Sequence, residues 1–224
     1  MMTTPETQIV MDSQAEFRRL LFVRVASEIV SIVFHPLFIP VYLTALVLFD
    51  HPLLFAGYDD GRKLRLLATI VVNLTFLPAV TVFLSWRLGF VSGMDLKTQK
   101  DRIIPLAAAM IFYFWCWFVL RNFLEIPEVF RNFLLGSFLT IIAGWLANIS
   151  YKVSLHALGA GGMIAFLFIL LFSAEGGSAW YVAAGLLVGG LVSTARLLSG
   201  THNPFEIYTG IFIGCLCQVV AIYV

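Results

Sequence analysis

Several stretches of roughly 18 or more residues carry few or no charges, and such length restricts the chain to a bilayer fold. Inside hydrocarbon each backbone N–H and C=O must find a partner within the protein, which leaves helices and closed barrels. Barrel strands would alternate apolar and polar residues with a period of two, and these stretches do not. With 60% hydrophobic and 12% charged residues, the chain has too few charges to cover its apolar surface in water. The expected fold class is therefore all-α, one polytopic transmembrane helix bundle of six to seven spans. It occupies residues 27–224, behind a polar N-terminal segment (1–26) that ends in an interfacial helix. A net charge of +1 gives no hint of nucleic acid. Cys116, Cys215 and Cys217 lie in apolar runs, read as small buried hydrophobes, and have no metal-ligand spacing.

The spans read near 27–49, 66–88, 103–120, 132–149, 157–173, 179–197 and 205–224. Pro36 and Pro40 fall inside the first and predict a kink there. The basic and apolar stretch 17–26 leads into it. A long polar run precedes that stretch and no small-residue cleavage site follows, unlike a signal peptide. Gly159, Gly161 and Gly162, and again Gly185, Gly189 and Gly190, form small-residue faces that predict close helix packing.

Three polar clusters interrupt the apolar pattern. Lys97 to Pro105 follows the second span, Lys152 to His156 the fourth, and Arg196 to Glu206 the sixth. Two crossings separate each from the next, so all three emerge on one membrane face wherever the spans end. Their candidate residues are Lys97, Lys100, Arg102, Lys152, Ser154, His156, Arg196, His202 and Glu206. Ionisable groups at membrane depth are costly and point to function. Cations in excess of carboxylates suggest a polyanionic ligand, of which phosphate is the commonest. Taken singly, each cation reads as well as an interfacial snorkelling residue, and His156 as a cap or packing histidine. Arg196, His202 and Glu206 together favour function, because His202 and Glu206 are four apart and share a helix face. Ser154 is a good N-cap for the fifth span, and Asn203 for the seventh, with Pro204 at its first position. Both helix N-termini would then present N–H donors and positive dipole ends to the same place.

Arg196-x5-His202-x3-Glu206 resembles the third motif, S-R-x5-H-x3-D, of the type-2 phosphatidic acid phosphatase and vanadium haloperoxidase superfamily. Its spacing is kept throughout, with Ala195 in place of Ser and Glu206 in place of Asp. Val153-Ser154-Leu155-His156 keeps the Ser and His of the second motif, P-S-G-H, and loses its Pro and Gly. The stretch from Lys97 to Pro105 resembles the first, K-x6-R-P, with a shorter Lys-to-Arg spacing and a displaced Pro. Motif order is kept over roughly residues 95–210. Two apparent spans separate the first two motifs here, whereas in many relatives they share one loop. The resemblance implies a hydrolase that needs no metal or cofactor and passes through a phosphohistidine. His202 would be the nucleophile, Glu206 its tautomer-holding carboxylate and His156 the general acid. Arg196, Arg102, Lys97 or Lys100, and Ser154 would bind the phosphoryl oxygens.

The expected substrate is a lipid phosphate (phosphatidic acid, phosphatidylglycerol phosphate, undecaprenyl pyrophosphate or a lipid A type) reached from the bilayer, and no nucleic-acid partner is expected. Two other readings stay open: a silent relative that binds a phospholipid or anion without hydrolysis, and a small transporter. Against the transporter, the polar residues gather at one face and not at the midplane. The expected location is the bacterial cytoplasmic membrane, multi-pass. Orientation and oligomeric state are left open, since cations outside the motifs divide almost evenly between the two faces.

Overall fold

The computed structural model describes residues 21–96 and 98–224. Lys97 and residues 17–20 of the expected interfacial stretch 17–26 lie outside them. The described residues contain helices and no strand. In chain order these are α1 (21–33), α2 (Ile39–Asp50), α3 (Asp60–Arg87), α4 (Gln99–Leu120), α5 (Glu128–Ser150), α6 (Leu155–Phe172), α7 (Ala179–Leu198) and α8 (Pro204–Val220). Five of them, α3 to α7, are long and apolar enough to cross a membrane, while α2 and α8 are shorter apolar helices. The outward side chains of the bundle are apolar, Ile111, Trp115, Leu187 and Phe212 among them, as a lipid-facing surface requires. This is the fold of an integral membrane protein.

The span expected over 27–49 is not one kinked helix. It is two helical segments, α1 and α2, separated by a break at 34–38. Pro36 brings no N–H to the Ile32 carbonyl, which accepts the His35 amide at 3.3 Å in a tighter turn. Pro40 causes no second break, because it sits in the first turn of α2, where no donor is required. A comparable substitution occurs in α3, which widens to a π-helix over Val71–Phe76. Pro78 leaves the Leu74 carbonyl without its usual helical donor, and the Tyr113 hydroxyl of α4 donates to it at 3.1 Å.

The glycine faces do what close packing requires. A Cβ on Gly161 would run into the Ile211 carbonyl of α8, and one on Gly214 into the Leu158 carbonyl of α6. These helices cross at backbone contact because neither carries a side chain there. On α7, Gly185 and Gly189 face Leu167 and Ile164, but Gly190 faces open space and is not part of that contact. The apolar core, with Val47, Ile70, Phe130, Phe166 and Leu170 almost completely buried, forms one contiguous cluster. His51 ties the end of α2 to the Gly176 carbonyl between α6 and α7. Beside the core lies a hollow, which the core side chains Ile39, Tyr113, Phe133 and Met163 also line.

Candidate functional site

That hollow is a cavity of about 820 Å³. Its polar end is formed where α4, α6 and α8 begin and where α5 and α7 finish, so the three clusters meet. Gln99 Nε2 donates to the Asn148 carbonyl at 2.8 Å, and Asn148 Nδ2 to the Gln99 carbonyl at 2.9 Å, joining the start of α4 to the end of α5. The Arg102 Nη1 donates to the Val153 carbonyl at 2.7 Å. The Ser154 amide donates to the Glu206 carbonyl at 3.2 Å, binding the starts of α6 and α8.

The turn before α8 is built from local rules. Gly200, at φ +64°, ends α7 in the left-handed conformation that glycine tolerates. Asn203 then caps α8, its Oδ1 accepting the Glu206 amide at 2.9 Å, with Pro204 in the first turn. This fixes the Glu206 side chain beside His202. His202 Nδ1 lies 2.7 Å from Glu206 Oε2, and Asn203 Nδ2 donates to Oε1 at 3.1 Å. His202 is buried and Glu206 half-buried. A carboxylate on Nδ1 holds the ring proton there and leaves Nε2 with its lone pair. Burial lowers the His202 pKa, the Arg102 and Arg196 charges add to that, and Glu206 opposes it.

Arg102, Lys152, His156, Arg196 and His202 line the cavity. Arg102 is buried, with Nε donating to the Leu96 carbonyl at 3.0 Å. Arg196 donates from Nη1 to the Ser31 hydroxyl at 3.1 Å, while its Nε is buried with no protein partner. Burial, with the Arg102 charge beside it, lowers the Lys152 pKa. His156 Nε2 lies 3.0 Å from the Ser31 carbonyl. Two expected members stand apart. Ser154 is fully buried and serves as the N-cap of α6, its hydroxyl accepting the Ala157 amide at 3.4 Å. Lys100 is exposed and does not line the cavity. Lys97 lies outside the described residues.

Two residues that the three clusters did not include also line this end, Ser31 at the end of α1 and His35 in the break. A histidine inside an apolar run, followed by proline, was the available signal. Arg24 and Glu28 of α1, an ion pair at 3.4 Å, complete the rim.

Away from the polar end the wall is apolar, with Pro105, Leu106, Ala109, Ile141 and Met163. The hydroxyls there turn back to backbone carbonyls: Ser137 to Phe133 at 2.8 Å, Thr140 to Gly136 at 2.7 Å and Tyr113 to Leu74. From Arg102 to Tyr113 this wall extends along α4 for about 16 Å at 1.5 Å per residue. The cavity is therefore cationic at one end and largely apolar along its length, with the buried Gln218 amide, which donates to the Phe133 carbonyl at 3.4 Å, as a polar exception. Among the described residues, no group of three or more His, Cys, Asp or Glu side chains is placed to hold a metal ion. The chain matches no family model, no curated protein and no solved structure, so the site is read from its own chemistry.

Proposed function

We propose that this chain is a membrane-embedded lipid phosphatase of the type-2 phosphatidic acid phosphatase kind, hydrolysing a phosphate monoester or pyrophosphate of a lipid. One observation carries the reading: the His202–Glu206 pair at 2.7 Å shares a cavity end with Arg102, Lys152 and Arg196. With Nδ1 held by Glu206, His202 Nε2 attacks phosphorus while the bond to the leaving oxygen breaks. That oxygen takes the proton from His156 Nε2, which must release the Ser31 carbonyl to give it. Water, its proton taken by the now deprotonated His156 Nε2, then attacks phosphorus and the P–N bond breaks, giving inorganic phosphate and restoring both His202 and His156. Arg102 and Arg196 stabilise the charge on the phosphoryl oxygens, and the buried, unpartnered Arg196 Nε is a donor in need of such an acceptor.

The long apolar wall suits an amphiphile whose headgroup lies among the cations and whose chain lies along α4 and α5. A six- or seven-span topology, with α8 and the α1–α2 pair adding to the five long helices, and residence in the bacterial cytoplasmic membrane belong to the same proposal. The silent-relative reading gains from His156, whose Nε2 is engaged by a carbonyl. Full-length protein in detergent should release phosphate from one or more of a panel of lipid phosphates without added divalent metal. His202→Ala should abolish release and vanadate should inhibit it. Undiminished release by both His202→Ala and His156→Ala would refute the mechanism, and tight vanadate binding without release would mark the silent relative.

A further inference from the structure

Ser31 and His35 are one turn apart and hold both His156 and Arg196. The Ser31 hydroxyl donates to the Ser27 carbonyl at 2.8 Å and accepts from Arg196, and its carbonyl accepts from His156. The His35 ring stands edge-on to that of His156, with centroids 5.3 Å apart and planes at 83°. These contacts assign the ring protons. His35 Nδ1 accepts the Leu37 amide at 3.3 Å, so its proton is on Nε2. His156 Nε2 donates to a carbonyl, so its Nδ1 is bare. Of this pair, His35 is the one left with an N–H to offer a ligand in the cavity that it lines.

We propose that His35 is a ligand-contacting residue, its Nε2–H donating to a phosphate-type oxyanion beside the Arg196 guanidinium. The inference rests on reading this cavity as a phosphate site, though not on turnover. It makes the break between α1 and α2 part of the site, since a continuous helix would not place this ring there. The alternative is a turn-forming histidine, and that role uses Nδ1 alone.

The two nitrogens can be separated by substitution. His35→Asn keeps an acceptor for the Leu37 amide in an Asx-type turn and lacks the distal donor. His35→Gln extends an N–H donor toward the Nε2 position. Binding of orthovanadate and of inorganic phosphate to full-length protein in detergent is measured by calorimetry, with thermal unfolding alongside. His35→Asn should unfold near the wild-type temperature and bind roughly tenfold or more weakly, while His35→Gln stays within a few-fold of wild type. Wild-type affinity in His35→Asn would make His35 a turn former and overturn the inference, leaving the phosphatase reading intact. Loss of binding in His35→Asn without phosphate release by wild type would uphold it and refute hydrolysis. Failure of wild type to bind either anion would overturn both. If His35→Asn does not fold, His35→Ser takes its place, since its hydroxyl can accept the Leu37 amide but cannot reach the ligand: weakened binding upholds the inference and wild-type binding overturns it.

Discussion

Glu206→Asp puts the unusual carboxylate of this site to a sharp test. The motif that this stretch resembles has Asp at this position, so the substitution looks like a restoration, but the geometry predicts a loss. Glu206 Oε2 is 2.7 Å from His202 Nδ1. Removing one methylene withdraws the carboxylate by about one C–C bond, 1.5 Å. The gap then approaches about 4 Å, beyond the roughly 3.2 Å limit of an N–H···O bond. The backbone cannot follow, because the Glu206 amide is fixed by the Asn203 cap at 2.9 Å and the neighbouring Ile207 is buried. A hydrogen bond to a charged group contributes about 1.5–3 kcal/mol. At 1.36 kcal/mol per tenfold this predicts that kcat for phosphate release falls about 10- to 150-fold. Glu206→Gln keeps the reach but turns one acceptor oxygen into an NH2 donor facing either His202 Nδ1 or Asn203 Nδ2, which disfavours the required tautomer, so its activity should fall at least as far. Phosphate release from the best lipid substrate, under saturating conditions, measures both. Glu206→Asp with wild-type or higher activity would refute the reasoning, because the start of α8 would then not be held as described.

Stability should fall on acidification. His202, in the turn between α7 and α8, has its pKa lowered from 6.5 by burial, with the Arg102 and Arg196 charges adding and Glu206 opposing, so just below that value the unfolded chain binds a proton that the folded one does not. Stability therefore rises with pH through the ordinary histidine range and is lost from about pH 6.5 downward. Thermal unfolding from pH 8 to 4.5 should show the slope, and His202→Gln should reduce it. Gly161→Ala drives a Cβ into the Ile211 carbonyl and should cost about 1–3 kcal/mol or more by forcing α6 and α8 apart. Gly190→Ala meets nothing within 4 Å and should be neutral or stabilising; equal unfolding temperatures for these two variants would contradict the described crossing.

Much of this arrangement was legible because it follows from local rules. Apolar length fixed the long helices. Asn203-Pro204 and Ser154 fixed the starts of α8 and α6, and the parity of crossings brought three clusters to one end. The break before α2 was harder to read. Pro36 signals a disturbed helix, but whether the helix bends or stops depends on what satisfies the freed groups. Here the His35 amide meets the Ile32 carbonyl, and Thr75 on α3 donates to the Leu37 carbonyl at 2.6 Å. That second partner is 38 residues away and invisible to local pattern. The cavity was illegible for a related reason, since an unfilled volume belongs to no residue in particular.

Choosing among the cations shows the same limit and how it is overcome. Lys100 and Arg102 have similar charge and are two residues apart, and the sequence alone gives no ground for preferring either as a member of the proposed site. On a helix of 3.6 residues per turn they point about 200° apart, so the face that admits one excludes the other. The phase of α4 is set by Asp101, whose carboxylate accepts from the Thr98 hydroxyl at 2.6 Å and the Ser92 hydroxyl at 2.8 Å. It is set also by the Gln99–Asn148 pair with α5. With that phase Arg102 turns into the bundle and Lys100 to the exterior. The cluster from Lys97 to Pro105 therefore leaves Arg102 at the cavity, while the nearby Lys152, supplied by a different cluster, adds a lysine to the polar end.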